Sequence, residues 1–234
     1  MSTAPVSAAS ATEDADFWVT RITAHGLDAL RDSSDMCRIV PAPRRFVFLR
    51  HGETDGNFKR IYQSAEISLN DNGRLQAEFA SGLLKGAGIR RIAASDMQRV
   101  RETAAIVGQA LGLAPVSNPG LRERWFGDLV GTSNMDLNWR NDPPKGERAG
   151  EFVRRTLRAF EQVLGPVESP DEGTLVIAHG GNLYVLAFSL GVELTLNMIQ
   201  NATPLEFTRG SQGWTVKPVA DGGGQPPRHR NLGW

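Results

Sequence analysis

Three short apolar runs, FVFLR (46–50), IRRIAAS (89–95) and TLVIA (174–178), are each followed by a segment of helical periodicity. This alternation limits the fold more than any other feature of the chain. Strands separated by helices are not joined as hairpins. They lie parallel, and a parallel sheet needs helices over both faces. The pattern therefore predicts an α/β fold built on an open, mostly parallel sheet covered by helices. The expected helices are 69–88, with Leu75, Phe79 and Leu83 on one face, and 96–111, with Val100, Ala104, Val107 and Leu111 on one stripe. Ser95 and Gln98 have capping-box spacing at the start of the second. A third helix spans 150–164 on Phe152, Leu157, Phe160 and Leu164, and a nearly all-apolar one spans 182–190. Short strands near 204–208 and 213–218 complete the sheet.

The flanks read differently. Residues 1–43 form an amino-terminal extension, 44–219 the main domain and 220–234 a Gly/Pro-rich flexible tail. Small polar residues dominate positions 1–15, which read as disordered. Phe17, Ile22, Leu27 and Leu30 suggest a helix interrupted by Gly26. The extension could cover a pocket, mediate dimerisation or do neither, and a homodimer is compatible with the sequence. His25 and His229 are expected in solvent.

Composition excludes several function classes. Lys and Arg number 26 and Asp and Glu 26, so no basic field draws the chain to nucleic acid or an anionic membrane, and any anion must be held by a local cluster. Cys37 is the single cysteine, which rules out an internal disulfide framework and a multi-cysteine zinc site. LYVLAFSLGV (183–192) is too short to span a bilayer, and the amino terminus lacks an apolar signal core. A soluble, cytoplasmic protein with neither nucleic-acid nor membrane partners is expected.

Ligands of open parallel sheets bind outside the carboxyl ends of the strands. Arg50 and His51 end the first strand, Ser95 to Arg99 follow the second, and His179 follows TLVIA. Two guanidinium groups, two imidazoles and the first turn of a helix match the oxygens of a phosphate. A divalent cation fits poorly between two arginines, so no metal or other cofactor is expected.

These residues carry a resemblance. RHGETDGN (50–57), SLNDNGRLQA (68–77), SDMQRVRETA (95–104), LRERWFGDLVG (121–131), PKGE (144–147) and VIAHGGN (176–182) resemble, in order, the motifs of the histidine phosphatase superfamily, the phosphoglycerate-mutase-like fold. The resemblance implies a three-layer α/β/α sandwich and a phosphohistidine mechanism. His51 would be the nucleophile, with Arg50, Arg99 and His179 around the phosphate and Glu123 as the acid protonating the leaving group. Asn57, Gln63 and Gly180 would contact substrate, and Trp125 and Phe126 would lie at its mouth or, for Trp125, in the core. Glu102, Asp128 and Glu151 are rival carboxylates. Gly52 would let the backbone approach closely and hold the ring of His51 through its carbonyl. Glu53 would support an arginine.

The family contains phosphatases and mutases. Mutases carry a long insert before the segment matching PKGE, whereas here only TSNMDLNWRNDP and Pro144 intervene. Without that cover, water should reach the phosphohistidine, which favours a phosphatase acting on a small phosphorylated substrate and releasing inorganic phosphate. A phosphomutase and a non-catalytic phospho-ligand binder are the alternatives. Leu129-Val130, Arg148 and Ser64 depart from the family pattern at positions expected to border the pocket.

Overall fold

The computed structural model describes residues 22, 24–34, 39–165 and 173–219. Phe17, Cys37, His229, positions 1–15 and the tail 220–234 lie outside the described residues. The helices are α1 (Asp28–Ser34), α2 (Asp55–Phe58), α3 (Asp71–Leu84), α4 (Gln98–Leu111), α5 (Ala149–Val163) and α6 (Gly180–Leu190). The strands are β1 (Arg45–Arg50), β2 (Ile89–Ala94), β3 (Pro115–Ser117), β4 (Gly173–Ala178), β5 (Pro204–Gly210) and β6 (Gly213–Pro218). They form one sheet in the order β3–β2–β4–β1–β5–β6. β1 to β4 run parallel, while β5 pairs antiparallel with β1 and β6 with β5. The mostly parallel sheet expected from the alternation is present. β3 was not legible, because its three residues are exposed on the sheet's edge and carry no apolar signature.

β4 lies between β2 and β1, and all six of its residues are buried, which is why its sequence is apolar throughout. β1 shows how alternate residues feed two layers. Phe46 and Phe48 join Val176 and Ala178 in one core, against Phe152, Leu157 and Phe160 of α5 and Leu183 to Ala187 of α6. Val47 and Leu49 join Leu175 and Ile177 in the other, against Ala80 and Leu84 of α3 and Val100, Ala104 and Val107 of α4. The result is the three-layer α/β/α sandwich. Each fully buried phenylalanine contributes roughly 2 kcal/mol through removal from water. Phe46 and Phe207, cross-strand partners on β1 and β5, also stack with centroids 5.0 Å apart.

Two expectations are corrected. On α3 the stripe Leu75, Phe79, Leu83 is not the buried face: Leu75 is 53% exposed, and Gly73, Gln76, Ala77, Ala80, Ser81 and Leu84 face inward. The reason is close approach. A Cβ on Gly73 would lie 2.0 Å from the carbonyl oxygen of Glu53, so the helix sits on the backbone that follows β1 and takes small residues there. At α4 the N-cap is Met97, without a side-chain cap bond, and no Ser95–Gln98 capping box forms. The Ser95 hydroxyl serves a histidine instead, as described below.

The described part of the amino-terminal segment packs on the sandwich. Leu27 and Leu30 are fully buried in the first core, and α1 lies against α5 and α6. Gly26 turns the chain at φ +65°, a conformation that favours glycine.

Candidate active site

The site begins with the ladder between β1 and β4, where Arg50 pairs with Ala178. The ladder continues beyond the strands: His51 N donates to Ala178 O at 3.0 Å, and Ser95 N donates to Ile177 O at 3.0 Å. His51, Ser95 and His179 are thus brought to one sheet edge, with the two imidazole centroids 5.2 Å apart.

His51 is buried, and its Nδ1 lies 2.7 Å from Gly52 O. A carbonyl only accepts, so Nδ1 carries the proton and Nε2 keeps its lone pair. This is the role expected of the Gly52 carbonyl. Gly52 is in turn held by α4, its N–H donating to Thr103 Oγ1 at 3.1 Å. A Cβ at Gly52 would stand 2.3 Å from Gly73 O, so no larger residue fits. Burial pushes the His51 pKa well below 6.5, with Arg99 and then Arg50 adding to the fall and the Gly52 bond opposing it. The ring is neutral at neutral pH.

Arg99 is the second residue of α4. Its Nε donates to His51 Nε2 at 3.3 Å and its Nη1 to Ser64 O at 2.9 Å. Burial lowers its pKa to about 10, so it remains cationic at neutral pH. Arg50 Nη1 donates to Ile199 O at 2.7 Å. His179 stands one layer deeper, fully buried behind the cavity. Its Nε2 shares a 3.0 Å hydrogen bond with Ser95 Oγ, while Nδ1 is buried without a hydrogen-bond partner among the described residues. Burial, then Arg99, His51 and Arg50, push its pKa well below 6.5. His179 N donates to Asn182 Oδ1 at 3.2 Å, fixing the start of α6.

Glu123 reaches the same place from the loop after β3. Its Oε2 accepts from Gly181 N at 3.0 Å and its Oε1 from Arg124 N at 2.9 Å. The neighbouring Arg124 is buried and donates to the carbonyls of Trp139, Asn141 and Glu147. Arg155 grips Glu147 with two bonds of 2.8 and 2.7 Å. The rival carboxylates are engaged elsewhere: Glu102 with Arg74, Asp128 with Lys145, and Glu151 with the Arg148 backbone.

Arg50, His51, Arg99 and Glu123 line one cavity of about 280 Å³, and Glu123 is the only carboxylate among the described residues that line it. Asn57, Gln63 and Gly180 line it too. Asn57 Oδ1 accepts from Thr54 N and Asn201 Nδ2, and Gln63 Oε1 accepts from Thr54 Oγ1. Phe126 lines the cavity, but Trp125 neither lines it nor enters the core, being 46% exposed with its ring N–H on Lys145 O. Leu129, Val130 and Arg148 do not border the cavity as expected, and Ser64 acts through its carbonyl. Glu53 Oε1 accepts from Asn70 Nδ2.

Sequence reasoning missed the outer wall. The stretch TSNMDLNWRNDP, expected to leave the pocket uncovered, supplies Asn134, Met135, Leu137 and Trp139 to it. His25, expected in solvent, and Leu27 line it as well. No local pattern announces such residues, because loop positions are set by partners distant in sequence.

Residues 46–221 match the histidine phosphatase superfamily (branch 1). The chain is 32% identical over 183 residues to an agropine synthesis reductase of Rhizobium rhizogenes, covering 74% of this chain and 41% of that protein, so it spans about two fifths of that relative's length. It is 32% identical over 168 residues to a 2,3-bisphosphoglycerate-dependent phosphoglycerate mutase of Xanthobacter autotrophicus, covering 63% of this chain and 81% of that one. A mycobacterial glucosyl-3-phosphoglycerate phosphatase solved with VO3 superposes with a TM-score of 0.62 at 29% identity, covering 75% of this chain and 98% of that one. Phosphatases and phosphoglycerate mutases are therefore both among its relatives, and the chain belongs to the histidine phosphatase superfamily.

Proposed function

We propose that this protein is a metal-independent phosphatase that hydrolyses a small-molecule phosphomonoester through a phosphohistidine on His51. The observation that carries the reading is the locked ring: Nδ1 is held on Gly52 O, and the lone pair of Nε2 is presented beside Arg99 in a cavity that Glu123 also lines. His51 Nε2 attacks phosphorus and the ester P–O bond breaks, while Glu123 gives its proton to the leaving alkoxide. Water then attacks phosphorus, Glu123 takes a proton from it, the P–N bond breaks and inorganic phosphate leaves.

Enzymes that hydrolyse phosphate monoesters reach accelerations of ~10²¹, of which a general acid supplies ~10²–10⁴. The remainder must come from positive charge and positioning around the transferring group. Arg50 and Arg99, which line the cavity, supply that charge, with His179 buried behind them. Asn57, Gln63 and Gly180 contact the substrate.

Phosphate release from an alkyl phosphomonoester in the presence of a chelator, with an acid-labile phosphoenzyme that disappears in His51→Ala, is the expected result. Full activity of that variant refutes the proposal. A second reading, a phosphoglycerate-type phosphomutase, is favoured by the similarity to the Xanthobacter mutase. Isomer interconversion faster than phosphate release, dependent on a bisphosphate primer, would establish it instead.

A further inference from the structure

The family match begins at residue 46, yet His25 and Leu27 line the cavity that holds His51. Three contacts fasten this segment to the facing loop. Trp139 N donates to His25 O at 2.9 Å, Arg140 pairs with Asp28, and Gly26 lies so close to Asn138 that an added Cβ would meet its Oδ1 at 2.0 Å. Leu27 anchors it beneath, fully buried. Trp139 continues the wall as a run of rings, 6.0 Å from Phe126 and 6.3 Å from Tyr184, with Tyr62 4.5 Å from Phe126. The cavity thus has a cationic end at Arg50 and Arg99 and an aromatic side closed by residues from outside the family match.

Resting on the phosphatase reading, we propose that the His25–Leu27 segment is a specificity-determining wall, and that with the aromatic run it selects phosphomonoesters whose alcohol carries a flat, apolar ring. The physical basis is differential burial. The phosphate end is the same for every phosphomonoester, so discrimination falls to what the leaving group meets. Rings on that side reward a flat apolar body and leave a polyol's hydroxyls without their water.

The test uses benzyl phosphate and glycerol 3-phosphate, both esters of primary alcohols, so that leaving-group chemistry is matched. Binding of benzylphosphonate and methylphosphonate is measured in parallel by calorimetry and needs no turnover. The full chain is expected to favour benzyl over glycerol phosphate by about tenfold or more in KM, and benzylphosphonate over methylphosphonate by a similar factor in Kd. His25→Ala and Gly26→Ala should each erase most of that preference, the loss falling on benzyl phosphate and benzylphosphonate more than on glycerol 3-phosphate and methylphosphonate. Equal affinity for the two phosphonates, or a preference untouched in both variants, overturns the inference. Preferential benzylphosphonate binding without turnover of either ester would refute the phosphatase reading and leave the wall standing.

Discussion

The guanidinium of Arg99 and the imidazole of His51 meet Nε to Nε2 at 3.3 Å, both residues being only 3% exposed. On the proposed reading one cation does two things: it draws an anion towards His51, and it helps to keep that imidazole unprotonated.

Replacing Arg99 with alanine separates these effects. Losing a preorganised donor should lower kcat/KM by about 10²–10³-fold. Removing the cation also lets the pKa of His51 rise, so the acid limb of the kcat/KM profile should move to higher pH. An unchanged limb in a folded variant would mean that Arg99 does not act on the ring electrostatically.

Glu123→Gln tests the proposed proton donor. Turnover of alkyl phosphates should fall by about 10²–10⁴-fold, whereas 4-nitrophenyl phosphate, whose leaving group needs little protonation, should lose far less. Equal losses on both would remove Glu123 from that role.

Gly181→Ala probes the packing that holds the carboxylate. The added Cβ would lie 2.2 Å from Glu123 Oε1 and 2.7 Å from the Trp139 ring. Overpacking of this kind costs about 1–3 kcal/mol in denaturant unfolding. A shift of Glu123 by about 1 Å should reduce kcat by roughly 10²-fold. Wild-type values for both would show that the loop yields without consequence.

Stability should depend on pH through the two buried histidines. Folded, both bind protons only well below 6.5; unfolded, both bind them near 6.5. As pH falls through 6.5 the unfolded chain takes up more protons, so stability is fully present above that value and declines below it. Each imidazole adds a slope approaching about 1.4 kcal/mol per pH unit. Urea unfolding between pH 7.5 and 5 measures this, and His179→Gln should flatten the slope whatever its stability at pH 7.5.

What was legible in the sequence follows from where the information lies. β4 and the strand ends were readable because burial on both faces writes itself as TLVIA, and because arginines and histidines there are costly unless used. The face of α3 was misread because a helix seated on backbone is selected for Gly, Ala and Ser, which apolar periodicity does not register. Ser95 looked like a cap by its spacing to Gln98, but its hydroxyl is committed to His179, 84 positions away. The wall formed by His25, Leu27 and residues 134–139 depends wholly on such distant pairings and left no local trace.

Both imidazoles hang from adjacent parallel strands locked by five consecutive residue pairs. Neighbouring strands in any sheet stand about 4.8 Å apart, and the two rings reproduce nearly that interval at 5.2 Å. The main chain thus serves as the ruler for the two rings, and drift in the surrounding loops would reshape the cavity without altering the gauge at which they stand.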